Sequence, residues 1–168
     1  MPSQDFDIIR RPATKWDKLW IDSAQRYSEE SKDRSTKIGC VIVKNDIPIS
    51  QGWNGFARGV DETLDERHER PEKYKWVIHA EMNAILNHAR YGGPGLDGCI
   101  AYMNYEPGVC SNCLNSLAQV GIKAIIGPNV PFPGKGRGTH YDINIAPVIA
   151  AETNIEIHSV DYEPRRNN

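Results

Sequence analysis

The chain has 168 residues, a formal net charge of −2 and four cysteines. That length suits one domain, residues 1–168, with room for a sizeable core. The near-neutral balance excludes the broad basic surface of a nucleic-acid binder, no apolar run is long enough to cross a bilayer, and residues 1–13 lack the apolar stretch of a signal peptide, so a cytoplasmic location is expected.

Residues 1–13 read as an arm, with Phe6, Ile8 and Ile9 as anchoring points. Thr14 is placed to cap a helix, and Asp17 completes a weaker form of the capping box. Trp16, Leu19, Trp20, Ala24 and Tyr27 then recur at helical spacing and are expected to pack into the core. Residues 28–37 form a polar connection. The apolar runs 38–43 and 47–53, separated by Lys44-Asn45-Asp46, predict a hairpin. Residues 54–76 form a charged insertion of mixed sign, most simply a solvated segment, although a connection of this length is usually functional or disordered.

Residues 77–90 predict a helix, with His79 and Glu81 in its first turn, followed by a strand over 99–103. Cys110-Ser111-Asn112-Cys113 then opens a second helical stretch through Leu114, Leu117 and Val120. A short strand is expected at 123–127, and 128–139 is a Pro/Gly-rich loop. A helix over 143–151 is compatible with Pro147 only if it starts near Ala146. Ile155, Ile157 and Ser159 alternate as a closing strand, and 161–168 is expected to fray. The order predicts a three-layer α/β/α fold on a mixed five-stranded sheet, its first pair antiparallel and its later strands joined by helical crossovers.

His79, Cys110 and Cys113 carry the chemistry. One imidazole and two thiolates give zinc three ligands and leave a fourth tetrahedral position for water, which distinguishes a catalytic site from a closed structural one. Glu81 lies two residues past the histidine and is free to move protons. Cysteines three apart share a helix face, and thiolates at a helix start are favoured by its unpaired N–H groups. Each residue alone has a structural reading: a core histidine, buried thiols, a solvated glutamate. Their joint placement on two helix starts flanking a strand favours metal. No fourth ligand is offered: His88 lies about two and a half turns beyond His79, and Cys40 and Cys99 sit in predicted strands as core residues. H-x-E followed by C-x-x-C resembles the signature of the zinc-dependent nucleobase deaminases.

Four blocks resemble more narrowly the deoxycytidylate (dCMP) deaminase family. Residues 30–42 (ESKDRSTKIGCVI) look like its loop-to-strand segment. Gly52-Trp53-Asn54-Gly55 is similar to its G-Y-N-G. His79-Ala80-Glu81-Met82-Asn83-Ala84-Ile85 is near its H-A-E-L-N-A-I. Cys110-Ser111-Asn112-Cys113 with Val120-Gly121-Ile122 completes the match. Two departures stand out: Gly108 and Val109 separate Pro107 from Cys110, where the family has proline directly before the cysteine, and Ala57 replaces the proline of N-G-x-P.

The resemblance implies one catalytic Zn2+ and hydrolysis of dCMP to dUMP and ammonia, supplying dUMP for thymidylate synthesis. It implies Glu81 as the proton carrier, Asn54 on a sugar hydroxyl, the Ala80 backbone on the base edge, and Ser31, Lys32 and Arg34, with Lys37, near the 5′-phosphate. It further implies a homo-oligomer, a hexamer, activated by dCTP and inhibited by dTTP, with Arg90 and Arg58 at the interface and effector positions. Arg90 is equally a helix C-terminal arginine favoured by the dipole, and Asn54 a turn residue beside Gly55. Lys135, Arg137, His140 and Tyr141 are further substrate candidates from the far loop. Three alternatives stay open: a deaminase of 5-substituted dCMP or of both dCMP and dCTP, a tRNA adenosine deaminase, and a non-catalytic zinc and nucleotide module.

Overall fold

The computed structural model describes residues 5–133 and 145–166. Strand β1 (Ile8–Pro12) leads into helix α1 (Lys15–Ser28), and the hairpin β2 (Gly39–Lys44) and β3 (Ile47–Trp53) follows. The insertion contains β4 (Gly55–Phe56), a 3-10 turn at Asp65–Arg67 and a short helix α2 (Lys73–Trp76). Strand β5 (Val77–Ile78), helix α3 (Ala80–Tyr91), strand β6 (Ile100–Met103) and helix α4 (Ser111–Gln119) come next. Strand β7 (Ala124–Pro128), helix α5 (Ala146–Glu152) and strand β8 (Glu156–Asp161) complete the chain.

The main sheet has the order β1-β8-β7-β6-β2-β3. The pairs β2–β3 and β2–β6 are antiparallel, while β6, β7, β8 and β1 run parallel. The sheet is mixed, as expected, but among the described residues it has six strands rather than five. The sixth comes from the arm, whose Ile8 to Pro12 register with Ile157 to Asp161. The sequence of β1 does not alternate, and it ends in proline, which an edge strand tolerates because its N–H faces no partner.

The period of two sorts side chains between two helical layers. Val41, Val43, Tyr102 and Ile126 pack with Trp20, Ile21 and Ala24 of α1 on one face. Cys40, Ile42, Ala101, Met103 and Ile125 pack with Ala80 and Ala84 of α3 and Leu114 and Leu117 of α4 on the other. Thr14 and Asp17 form the reciprocal capping box. The buried stripe of α1 is phased differently from expectation: Asp17, Trp20, Ile21, Ala24, Gln25 and Ser28 face inward, while Trp16 and Leu19 are 37% and 45% exposed. Asp17 is tolerated inside because it takes two bonds from the Arg11 guanidinium and one from the Tyr102 hydroxyl.

The hairpin turns on Asn45 and Asp46, both at positive φ (50° and 60°), the geometry that matches strand twist in two-residue loops. Helix α5 starts at Ala146 with Pro147 in its first turn. Of the end expected to fray, residues 161–165 are tied down: Asp161 belongs to β8, and the Tyr162 hydroxyl and the Arg165 backbone N–H both donate to Asp22. Among the described residues no helix is long and apolar enough to cross a membrane.

Candidate active site

Helices α3 and α4 begin in the same way. His79 and Cys110 are their N-cap residues, both extended (φ −70°, ψ 157° and φ −70°, ψ 159°), and neither side chain caps its own helix. Both side chains are therefore available to a third party at the positive end of a helix. Each backbone carbonyl starts its helix, accepting from Asn83 and Leu114. Cys113, buried in the first turn of α4, completes the group.

His79 Nδ1 lies 3.4 Å from Sγ of Cys110 and 3.4 Å from Sγ of Cys113, and the three ligand atoms fall within 4.8 Å of one another. Tetrahedral zinc, with bonds of about 2.0–2.1 Å to nitrogen and 2.3 Å to sulfur, sets those atoms about 3.5 Å apart. The donor set and its spacing fit zinc. Hydrogen bonding from Cys113 outweighs burial and, with His79, holds the Cys110 thiol down at about 4. Cys113 is pushed up by its bond to Cys110 and by burial. Burial disfavours the charged His79 ring, but the Cys110 contact and the charge of Glu81 raise it overall. Among the described residues this is the one His/Cys/Asp/Glu group of metal-binding spacing. Cys40, whose thiol burial pushes well up, and Cys99 are core residues, as expected.

Glu81, 7% exposed in the first turn of α3, lines a cavity of about 140 Å³ together with His79, Ala80 and Cys110. An engineered cavity of about this size binds benzene, so the space suits a six-membered ring. Ile38, Val77, Met103, Val109 and Phe132 make its walls apolar, and Phe132 meets Tyr105 edge-on at 5.9 Å.

The polar wall is built on Asp33. Its carboxylate accepts from the backbone N–H of Ser35 and Thr36 and from the buried Lys73 ammonium. Burial opposes its charge, but the Lys73 bond and the backbone donors hold its pKa below the usual carboxylate range. Asn54 joins this wall: its Oδ1 accepts from Ile38 N–H, and its Nδ2 donates to Thr36 O and Asp33. Lys73 also donates to Ser35 Oγ. Strands β4 and β5 pair and fold the insertion back on itself, bringing Arg70, Lys73 and Tyr74 to the cavity. The segment that reads as solvated thus forms one wall.

The other expected site residues are placed as follows. Ser31 is buried, its hydroxyl donating to the Asn54 carbonyl. Lys32 and Arg34 are exposed and paired with Glu62 and Asp65. None of the three lines the cavity, because residues 31–36 turn around Asp33 and point their longer cations outward. Arg58 donates to Asn87 of α3, and Arg90 lies over the Tyr91 ring. Lys135, Arg137, His140 and Tyr141 lie outside the described residues. Asp33, Arg70, Lys73 and Phe132 also line the cavity and are not among the residues expected there. Asp33-Arg34-Ser35-Thr36 carries an Asx-turn pattern that marks Asp33 as an acceptor of backbone N–H groups; Lys73 and Arg70 carry no local mark among their charged neighbours.

Comparison with known proteins places this geometry in a family. The family model described as "Cytidine and deoxycytidylate deaminase zinc-binding region" matches residues 14–127, more than half of the chain. An uncharacterized deaminase in the luxG 3′ region of Aliivibrio fischeri is 37% identical over 115 residues, 68% of this chain and 74% of that protein. The human deoxycytidylate deaminase is 31% identical over 118 residues, 67% of this chain and 64% of its own length. A probable deoxycytidylate deaminase of Caenorhabditis elegans is 38% identical over 61% of this chain, and the match spans only about half (51%) of that protein. The crystal structure of dCMP deaminase from the cyanophage S-TIM5 in apo form shares the fold (TM-score 0.66, 22% identity, covering 88% of this chain and 99% of that one). The chain belongs to the cytidine and deoxycytidylate deaminase family.

Proposed function

We propose that this protein is a zinc-dependent enzyme that hydrolyses dCMP to dUMP and ammonia. The observation that carries the reading is the triangle of His79, Cys110 and Cys113 with the Glu81 carboxylate beside it, at a cavity sized for a pyrimidine ring. The names of the human and worm relatives support the substrate, as does the S-TIM5 enzyme crystallised with dCMP and dUMP, which shares this fold at 24% identity and TM-score 0.65, over 84% of this chain and 94% of its own.

His79, Cys110 and Cys113 would hold the ion. When bound, zinc supplies a water acidified to a pKa of about 7 as the nucleophile for C4 of the base. Glu81, buried beside His79 at the cavity, is the carboxylate that would hold the proton released on attack, pass it to N3 of the ring and then help protonate the departing amine. Acid–base help of this kind is worth roughly 10²–10⁴-fold. The apolar walls exclude bulk water from the reacting ring and strengthen the Glu81 interactions. Ala80, fully buried with only a methyl group, leaves its backbone to meet the base edge. Asn54 and the residues it orders shape the sugar side.

The dUMP formed is suited to thymidylate synthesis, and the reading carries a cytoplasmic location with it. We also infer a hexamer regulated by dCTP and dTTP. Exposed Leu86 and Tyr91 on α3, 46% and 72% accessible, give apolar surface beside Arg58 and Arg90 for a subunit contact. Hyperbolic kinetics indifferent to both triphosphates would remove the regulatory part.

A second reading, activity on 5-substituted dCMP, is favoured by one observation. Gly108 and Val109, the residues between Pro107 and Cys110, line the cavity. A rate panel over dCMP, dCTP, cytidine, 5-methyl-dCMP, 5-hydroxymethyl-dCMP and a tRNA anticodon stem tests both readings. The first expects dCMP fastest; a 5-substituted nucleotide ahead of it selects the second; activity on the stem alone refutes both.

A further inference from the structure

We propose that Arg70 recognises the phosphate of the substrate and so makes this a nucleotide rather than a nucleoside site. The inference rests on reading the cavity as a cytosine nucleotide site. About 140 Å³ accommodates a ring, so a charged group carried beyond the sugar lies at the mouth and needs a cation there.

Among the described residues two cations line the cavity, Arg70 and Lys73. They differ in what already neutralises them. The Lys73 ammonium lies 2.8 and 2.7 Å from the two carboxylate oxygens of Asp33 and 2.6 Å from Ser35 Oγ, and both charged side chains are buried. That charge is balanced within the wall, and drawing it toward a second anion would strand Asp33 out of water. Arg70 makes no ion pair among the described residues and is exposed at the rim. Its guanidinium carbon lies 5.8 Å from the centroid of the Tyr74 ring, which itself lines the cavity. A guanidinium held over an aromatic face keeps its N–H fork available at the edge, and that fork matches two phosphate oxygens at once. Lys32 and Arg34 are already paired with Glu62 and Asp65, away from the cavity.

The test compares wild type, Arg70→Ala and Arg70→Lys on dCMP and on deoxycytidine, with zinc content and melting temperature measured on each preparation. The expected result is a fall of about 10- to 100-fold in the preference for dCMP over deoxycytidine in Arg70→Ala, carried by KM rather than kcat, with zinc content and melting temperature preserved. Arg70→Lys recovers part of it, as a point charge without the fork. Because Arg70 is exposed, added salt raises the wild-type KM for dCMP more than that of Arg70→Ala. Equal losses on both substrates, no change in preference, or a phosphate-selective loss in Lys32→Ala or Arg34→Ala with Arg70→Ala unaffected overturns the assignment. Failure of the wild type to deaminate dCMP refutes the proposed reaction separately. The Arg70 assignment is then decided by calorimetric titration with inorganic phosphate: weaker binding by Arg70→Ala upholds it, and equal or absent binding in both proteins overturns it.

Discussion

The Lys73 ammonium and the Asp33 carboxylate meet at 2.7 Å, with side chains 9% and 2% exposed. The contact fastens the insertion to the loop between α1 and β2 and makes the two segments one wall of the cavity. Removing one partner of a buried pair leaves an uncompensated charge, which costs about 3–5 kcal/mol. Lys73→Met is expected to lose stability on that scale at pH 7 in urea denaturation. The folded-state pKa of Asp33 is depressed, so its stabilising contribution is present above the unfolded value of about 3.9 and is lost as pH falls through the folded value. The gap between wild type and Lys73→Met should therefore narrow below about pH 4. A gap that widens on acidification refutes the pairing.

Asn54 makes three hydrogen bonds within the wall, to Ile38 N–H, Thr36 O and Asp33. Asn54→Ala removes the partner of the Ile38 N–H and of the Thr36 carbonyl and one of the bonds to Asp33, and is expected to destabilise the fold by about 1–3 kcal/mol as well as raise KM for dCMP. A variant with raised KM and unchanged stability would mean that the side chain serves the substrate alone.

Gly52 explains a glycine that the sequence shows without its reason. A Cβ there would stand 2.3 Å from Ala84 N and 2.6 Å from Ala80 O, both backbone atoms of α3. Helix α3 thus rests directly on β3, and this contact sets the depth of His79 and Glu81. Gly52→Ala must push α3 outward, at a cost at or above the roughly 1–3 kcal/mol of ordinary overpacking. Lower melting temperature together with weaker zinc retention under a chelator competition is expected. Unchanged zinc affinity would show that the helix position does not govern the ligands.

Zinc dependence follows from the three-ligand geometry. Chelation should abolish activity, zinc should restore it, and Cys113→Ala should bind the metal poorly while keeping its secondary structure. Full zinc occupancy in Cys113→Ala, measured by elemental analysis, would contradict the ligand assignment.

Much of this was legible in the sequence, for identifiable reasons. The apolar run of β2, the alternation of Ile155, Ile157 and Ser159, the capping box at Thr14 and Asp17, and two helix starts carrying His79 and Cys110 are local signals, and local signals survive folding. The wall of the cavity was not legible. Lys73 and Arg70 are two cations in a run of mixed charge, and only the β4–β5 pairing turns them inward. Lys32 and Arg34 look like phosphate ligands by position, but the turn around Asp33 directs them to Glu62 and Asp65. Strand β1 was hidden because its pairing with β8 is set by residues about 150 positions away along the chain.

The measurement that bears most directly on the account is ammonia release from dCMP by wild type and Glu81→Gln, with zinc quantified in the same samples. One zinc per chain in both proteins, dUMP and ammonia from the wild type, and a rate lower by at least about 10²-fold in Glu81→Gln are expected. A zinc-loaded wild type that leaves dCMP intact, or a Glu81→Gln variant that turns it over as fast as wild type, would contradict the account.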